Sequence, residues 1–146
     1  MARINIMDKV NFLKYYTEFG SDYHTDNSNM SLASLAHFLL TEVTCFGSSD
    51  WIELLDQLKE DEDSTCGNMI DIEKKGANLY LGYVHDDPEN PCERLEISKE
   101  ELFKVMVQWE KLMKQKPEEI TLFRDKGVFE LVGKNDSKEV YGDADC

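Results

Sequence analysis

The residues in this chain that could do chemistry are few and widely spaced. There are three histidines, His24, His37 and His85, and four cysteines that form no CxxC pair. Cys66, His85 and Cys92 offer zinc ligands, but their spacing matches no common structural zinc site. His37 falls within an apolar helical stretch, which predicts a structural role, and the other two histidines lie in polar stretches. The sequence therefore predicts no metal centre.

Carboxylates are the other candidates for chemistry. Asp61 and Asp63 resemble the first two ligands of a calcium loop, but the glycine at position six and the glutamate at position twelve are missing. Asp86 and Asp87 are adjacent in a loop, which does not place two carboxylates across a substrate. No GxSxG, HExxH or glycine-rich phosphate loop occurs. We predict a protein that is not an enzyme and needs no cofactor, with an enzyme of unrecognised machinery as an alternative.

The most unusual stretch is "LKEDEDS", in which four acids, Glu60 to Asp63, follow a single lysine. Neighbouring like charges repel one another, and negative charge at the end of the preceding predicted helix opposes the helix dipole. Local stability therefore does not account for the run. It is either a solvated loop or a surface that the protein presents to a partner.

The net charge of −14 is concentrated in the middle of the chain. Residues 1–17 sum to +2, residues 18–73 sum to −12 with thirteen acids against Lys59, and residues 74–146 sum to −4. Such a field repels nucleic acids and anionic membranes and attracts basic partners. We expect a basic protein partner, no nucleic acid and no membrane; an acidic surface that serves only solubility is the alternative.

Length and composition indicate one domain, residues 1–146, since 146 residues with 41% hydrophobic side chains can build a single core. No apolar stretch approaches the roughly 20 residues of a membrane span. The opening "MARINIMDKVNF" lacks the features of a secretory signal. Unpaired cysteines in such a chain are typical of reduced thiols. We expect a cytoplasmic protein.

Periodicity predicts helices in the first half of the chain. Ile6, Val10, Leu13 and Tyr16 fall on one helical stripe that stops near Gly20. A second helix carries an apolar stripe of five residues, Leu32, Leu35, Ala36, Leu39 and Val43. The segment "SSDWIELLDQL" predicts a third helix, with Asp50 as N-cap, Glu53 three residues later, and Leu54, Leu55 and Leu58 facing the core.

The second half alternates with the period of strands. We predict strands at "MIDIE", "NLYLGYV" and "RLEI", and a hairpin of "EITLF" and "VFELV" joined at residues 125–127. Between them, Ser98 and Glu101 form a capping box that opens a helix ended by Pro117. The apolar stripe of this helix is Leu102, Val105, Met106, Trp109, Leu112 and Met113. The predicted fold is α+β: N-terminal helices plus an antiparallel sheet covered by one long amphipathic helix, with a loose tail from about residue 134.

The segment from Leu95 to Val132, "LEISKEELFKVMVQWEKLMKQKPEEITLFRDKGVFELV", resembles the immunity proteins of bacterial contact-dependent growth inhibition and related polymorphic toxin systems. The likeness lies in a strand, an amphipathic helix and a closing hairpin, and it covers about a quarter of the chain. It implies a cytoplasmic protein that binds one toxin domain, often a nuclease, and blocks its active site or substrate groove. Contact positions in such families vary with the toxin, so the resemblance assigns no interface residue.

Charge and resemblance together predict an immunity protein that is a monomer when free and that occludes a basic nuclease toxin in a 1:1 complex. The alternative is an acidic adaptor, or nucleic-acid mimic, that inhibits a nucleic-acid-binding protein. We expect Tyr23 to be an exposed aromatic anchor, because its neighbours are polar. The predicted toxin-binding residues are Tyr23, Asp26, Glu53, Asp56, Glu60, Asp61, Glu62, Asp63, Asp86, Asp87 and Glu89.

Overall fold

The computed structural model describes residues 8–26, 29–89, 94–135 and 138–141. Its larger sheet has five antiparallel strands in the order β2-β1-β7-β8-β9. These strands are β1 (Asp8–Thr17), β2 (Gly20–Thr25), β7 (Glu119–Asp125), β8 (Val128–Asn135) and β9 (Lys138–Tyr141). Strand β1 runs against β7, which lies more than a hundred residues later in the sequence, from Asp8 opposite Arg124 to Leu13 opposite Glu119.

The first predicted helix is therefore wrong, since these residues form the hairpin β1–β2. Alternate side chains of a strand point to opposite faces, so Val10 and Phe12 are buried on one face while Leu13, on the other, is 36% exposed. Tyr16 shares the face of Val10 but lies near the end of β1, where it is 68% exposed. The helical spacing of Val10, Leu13 and Tyr16 was coincidental. Ile6 lies outside the described residues.

The smaller sheet has four antiparallel strands in the order β3-β4-β5-β6. They are β3 (Ser64–Cys66), β4 (Ile70–Lys75), β5 (Asn78–Tyr83) and β6 (Leu95–Ser98). The predicted alternation is confirmed here, because Ile70, Ile72, Leu79 and Leu81 are all buried on the same side of their strands. The sequence predicted these strands but not their separation from the C-terminal hairpin into a second sheet.

Two helical segments connect the sheets. The first runs without a break through four short pieces: a 3-10 turn (Met30–Leu32), α1 (Ala33–His37), a π-helical turn (Phe38–Val43) and α2 (Thr44–Phe46). Gly47, at φ +86°, separates it from α3 (Ser48–Asp56), for which it is the N-cap. The expected N-cap, Asp50, lies instead in the first turn of α3. Leu55 and Leu58 are buried as predicted, but Leu54 is 39% exposed, so its assignment to the core was wrong.

The longest helix is α4 (Lys99–Gln115), which lies against β8 and also contacts β6 and α3. Ser98 caps it as predicted, since its Oγ accepts a hydrogen bond from the Glu101 backbone N–H at 3.2 Å. Lys116, at φ +51°, ends the helix immediately before Pro117. The inner face buries five residues of the predicted stripe, Leu102, Val105, Met106, Trp109 and Leu112, and the sixth, Met113, is partly buried against the core.

In the described residues the fold class is thus α+β, with two antiparallel sheets and three helices, the continuous segment 30–46 being counted as one. Part of the predicted loose tail is ordered as a strand, because β9 pairs with β8 from Val132 opposite Tyr141 to Asn135 opposite Lys138. Residues 136, 137 and 142–146 of that tail lie outside the described residues. Within the part of the chain that the structure describes, no helix is long and apolar enough to cross a membrane.

Candidate functional site

The acidic run forms a compact turn that we call the acidic loop (Lys59–Asp63). One oxygen of Asp63, Oδ2, accepts hydrogen bonds from two backbone N–H groups, those of Lys59 at 3.0 Å and Glu60 at 2.9 Å. The backbone N–H of Asp63 in turn donates to the carbonyl of Glu60 at 3.1 Å. These two amide hydrogen bonds stabilise the charged carboxylate, and they lower the pKa of Asp63 below its ordinary value.

The acidic loop is also attached to the β4–β5 turn. The Glu62 N–H donates to the Lys74 carbonyl, and the Lys74 N–H donates to the Asp63 carbonyl, both at 2.9 Å. The Asp61 side chain accepts from the Gly76 N–H at 2.8 Å and lies 3.7 Å from the Lys74 ammonium. Asp61 and Asp63 therefore hold the loop in place.

Glu60 and Glu62 differ from Asp61 and Asp63. Both are exposed, and their carboxylates make no hydrogen bond or ion pair with any residue that the structure describes. Glu62 adopts the left-handed region at φ +74°, which is uncommon for a residue other than glycine. The acidic run is consequently a fixed loop that presents two free carboxylates.

A cleft of about 440 Å³ lies beside the acidic loop. The end of α3, the β4–β5 turn and the start of α4 enclose it, and its apolar wall comes from Leu55, Leu58 and Leu79. Lys74 and Lys99 also line it. The acidic loop thus borders a concave surface.

The second predicted acidic patch lies at the other end of the smaller sheet. Its loop follows β5, where Asp86 Oδ1 accepts from the Asp87 N–H at 3.0 Å and Asp87 Oδ1 accepts from the Glu89 N–H at 2.9 Å. The beginning of this loop is paired with the start of β4, since Val84 N–H donates to the Met69 carbonyl. The acidic loop contacts the opposite end of β4, at Lys74, so the two patches lie at the two ends of that strand.

Tyr23 is the predicted anchor that the structure contradicts. It is only 7% exposed, its hydroxyl donates to the Pro117 carbonyl at 2.5 Å, and its ring lies 6.4 Å from that of Trp109. Burial, with the nearby Glu118 and Tyr16, raises the pKa of Tyr23 to about 12. Its neighbours in sequence are polar because β2 alternates between faces, so Tyr23 belongs to the core.

The remaining predicted contact residues have different environments. Asp26 is half-buried and accepts hydrogen bonds from the backbone N–H of Asn11 at 3.3 Å and from its side chain at 2.8 Å. Asp56 forms an ion pair with Lys99 at 2.6 Å. Glu53 is exposed on α3. Of these three, only Glu53 carries a carboxylate that no described residue engages.

Sequence reasoning missed Glu42, which is 1% exposed. Its Oε1 accepts hydrogen bonds from the N–H groups of Asn68 at 3.0 Å and Met69 at 3.1 Å, and its backbone carbonyl accepts from Trp51 Nε1 at 3.2 Å. Oε2 is buried and has no partner among the described residues. A single acid within the apolar stretch "LAHFLLTEV" was the signal that could have pointed to it.

The sequence analysis also missed a group of exposed apolar side chains. Phe19 is 92% exposed at the β1–β2 turn, and Phe46 is 53% exposed at the end of α2. Near Phe46 lies a pocket of about 340 Å³, which Leu54 and the buried Trp51 also line. Phe46 and Leu54 therefore give the pocket, which Asp50 also lines, an exposed apolar rim.

The histidines and cysteines provide no catalytic arrangement. His37 Nδ1 lies 2.7 Å from the Tyr83 hydroxyl, and burial lowers the pKa of this histidine, which favours the neutral ring. In the part of the chain that the structure describes, no group of three His, Cys, Asp or Glu side chains is placed to hold a metal ion. Cys66 is an exposed free thiol, and Cys92 of the conceivable zinc set lies outside the described residues.

Comparison with known proteins yields no relative from which a role could be transferred. No protein-family model, no curated protein and no solved structure matches the chain. The most distinctive features of the surface are the acidic loop and the apolar pockets beside α3.

Proposed function

We propose that the chain is a cytoplasmic immunity protein that binds a basic toxin domain, a nuclease, and occludes its active site in a 1:1 complex. The observation that carries this proposal is the fixed conformation of the acidic loop. Asp61 and Asp63 are bonded to backbone amides, and Glu60 and Glu62 remain free to meet cations. A loop that served only solubility would need no such attachment.

Preorganisation gives the acidic loop an advantage in binding. A flexible loop loses conformational entropy when it docks, whereas a loop already held by its own hydrogen bonds loses little. The self-repulsion of the run is offset within the fold, by the two amide hydrogen bonds to Asp63 and by the Lys74 ion pair. The free carboxylates are therefore available at nearly fixed positions.

The charge of the surface favours a nuclease as partner. An enzyme that cleaves nucleic acid needs a basic face to attract phosphates, and an array of carboxylates competes for the same face. Complementary charge can raise association rates to about 10⁸–10⁹ M⁻¹s⁻¹, against about 10⁵–10⁶ without steering. Rapid capture suits an inhibitor, because each free toxin molecule acts catalytically.

We further infer that α4 covers the larger sheet as the scaffold behind this surface rather than as part of the interface. Its apolar stripe is buried, with the Trp109 ring 4.8 Å from Phe12 and its indole N–H donating to Thr44 Oγ1 at 3.0 Å. A side chain committed to these contacts is not available to a partner.

The test is co-expression with the product of the gene directly upstream, followed by stopped-flow association of the purified pair. We expect Glu60→Ser combined with Glu62→Ser to slow association about tenfold at low salt and to weaken its salt dependence, because rim charges act mainly on the on-rate. The matched control is Glu18→Ser combined with Glu130→Ser, which removes the same charge from two exposed positions, one in the β1–β2 turn and one on β8.

Two results would count against the proposal. If both double variants slow association equally, net charge rather than the acidic loop attracts the partner. If the upstream product does not co-purify, and the chain instead captures a nucleic-acid-binding protein encoded elsewhere, the adaptor hypothesis replaces the immunity hypothesis.

A further inference from the structure

A preformed apolar pocket lies between α2, α3 and β3, and its lining includes no residue of the acidic loop. We call it the α3 pocket, and its volume is about 340 Å³. Its lining residues are Phe46, Asp50, Trp51, Leu54, Cys66 and Asn68, together with Gly67. Phe46 and Leu54 are 53% and 39% exposed, whereas Trp51 is buried. Exposed apolar side chains around a concavity are a common mark of an interaction site.

Glu42 fixes both walls of the α3 pocket. Its backbone carbonyl accepts the hydrogen bond from the Trp51 indole, and its carboxylate accepts those from Asn68 and Met69. One buried residue thus ties α3 to the segment between β3 and β4. The pocket is therefore held open by the fold and needs no partner to form.

The charge around the α3 pocket selects the kind of occupant. Asp50 is exposed in its lining, Glu53 is exposed on the neighbouring turn of α3, and no basic side chain among the described residues lines the pocket. Interfaces place an apolar or aromatic anchor in a central pocket and polar groups at the rim. The matching occupant is an apolar side chain flanked by lysines or arginines.

The helix α3 relates this pocket to the acidic loop. Leu54 lines the α3 pocket, while the next residue, Leu55, lines the cleft beside the acidic loop together with Leu58. The two concavities therefore lie on either side of one helix. A partner that covers α3 can contact both, with Glu53 exposed on the same helix.

From this arrangement we infer that the α3 pocket receives an apolar anchor residue of a basic protein partner, while the acidic loop attracts the flanking cations. The inference rests on the proposed function in that it names the anchor site for the same toxin. The inference goes beyond the proposed function because it assigns slow dissociation of the complex to Leu54 and its neighbours. Fast association is assigned to Glu60 and Glu62. Anchors buried at an interface act mainly on dissociation.

The test does not need the toxin. The probe is a synthetic basic peptide, acetyl-Lys-Arg-Lys-Leu-Trp-Lys-Arg-Lys-amide, and the matched peptide replaces Leu-Trp with Gly-Ser. Binding is followed by amide chemical shifts and by N-ethylmaleimide labelling of Cys66, whose exposed thiol lines the pocket. We expect the first peptide to shift the resonances of Phe46 and Leu54 and to protect Cys66 at least tenfold more than the second.

Two variants separate the pocket from general surface charge. Leu54→Asp should abolish the protection of Cys66, whereas Val128→Asp, which changes a side chain that is 57% exposed on the larger sheet, should leave it unchanged. Both positions are exposed, so both variants should fold. Peptide binding with an unshielded Cys66, or equal effects of the two variants, would overturn the inference.

Two further outcomes are decisive. Equal protection by an acidic peptide with the same Leu-Trp centre, or by indole alone, would show a small-molecule or general apolar site and overturn the assignment of a basic partner. If the peptide result is positive but the upstream gene product does not co-purify, the α3 pocket stands and only the toxin assignment fails.

Discussion

The carboxylate of Glu42 occupies the space into which a side chain at Gly67 would project. A Cβ placed on Gly67 would collide with both oxygens and with the carboxyl carbon of Glu42. Glycine is required here for close packing, since the carboxylate comes this near in order to accept the N–H groups of the two following residues. The segment between β3 and β4 is thus positioned by a buried acid.

We expect Gly67→Ala to destabilise the fold by about 1–3 kcal/mol, because the added methyl group displaces a well-packed side chain. Chemical denaturation measures the change in the free energy of unfolding. The double variant Glu42→Ala with Gly67→Ala is the control: it should be less destabilised than the sum of its single variants, since the alanine at position 42 leaves room for the methyl group. Strict additivity would contradict the collision.

Trp109→Ala should cost about 3–5 kcal/mol of stability, because it leaves a large cavity against Phe12 and Tyr23 and a lost hydrogen bond at Thr44. Phe19→Ala is the matched control, since Phe19 is 92% exposed and its removal should change stability by less than about 0.5 kcal/mol. Urea titration of both variants measures the difference. A stable Trp109 variant that loses only partner binding would place this helix in the interface.

Alkaline pH should destabilise the protein through Tyr23. Its pKa is raised to about 12 from the ordinary 10, so the neutral phenol stabilises the fold fully below pH 10 and this contribution is lost as the pH rises towards 12. Tyr23→Phe should flatten the fall in unfolding free energy above pH 10. The flattening will be partial, because the hydrogen bond to Glu96 raises the pKa of Tyr80 as well. An unchanged slope in Tyr23→Phe would contradict the assignment.

Acid should loosen the acidic loop through Asp63. The pKa of this carboxyl lies below its ordinary 3.8, so its contribution to the fold is complete above that value and is lost as the pH falls through the lower folded pKa. The amide resonances of Lys59 and Glu60 should titrate together with a midpoint below 3.8. Asp63→Asn should abolish this titration, whereas Glu60→Gln should leave it intact. A midpoint at or above 3.8 would show that the two amide bonds are absent in solution.

The second half of the chain was predictable because its signals are local. The Ser98 cap, the apolar stripe through Trp109 and the turn at Lys126 and Gly127 are local signals, and each formed as predicted. The second half of the capping box did not form, because the Glu101 carboxylate accepts from Lys104 and from the Phe129 N–H instead. The first strand was missed because one of its two neighbours, β7, is more than a hundred residues away, and the other, β2, has a mostly polar sequence. When the apolar residues of a segment fit both the helical and the strand period, pairing with a distant strand decides which structure forms. The local sequence pattern carries no information about that pairing.

The sequence indicated where the candidate site lies, but not what each of its residues does. The acidic run stood out in the sequence, yet nothing there distinguished Asp61 and Asp63, which hold the loop, from Glu60 and Glu62, which are free. That division depends on the β4–β5 turn, which folds back onto the loop. Tyr23 was misjudged for a related reason, since polar neighbours in sequence point away from it in the strand.

The pairing of β1 with β7 bears on how the protein is made. Asp8 bonds to Arg124 across 116 positions of sequence, so the first strand emerges from the ribosome long before its central neighbour exists. Until residues 119–125 have been synthesised, the hairpin β1–β2 lacks its neighbouring strand β7, and its apolar side chains remain exposed to water. Because closure of such long loops slows folding, a newly translated copy reaches its folded state only after a delay. A cell that divides with few finished copies is the one most exposed to the toxin that we propose as partner.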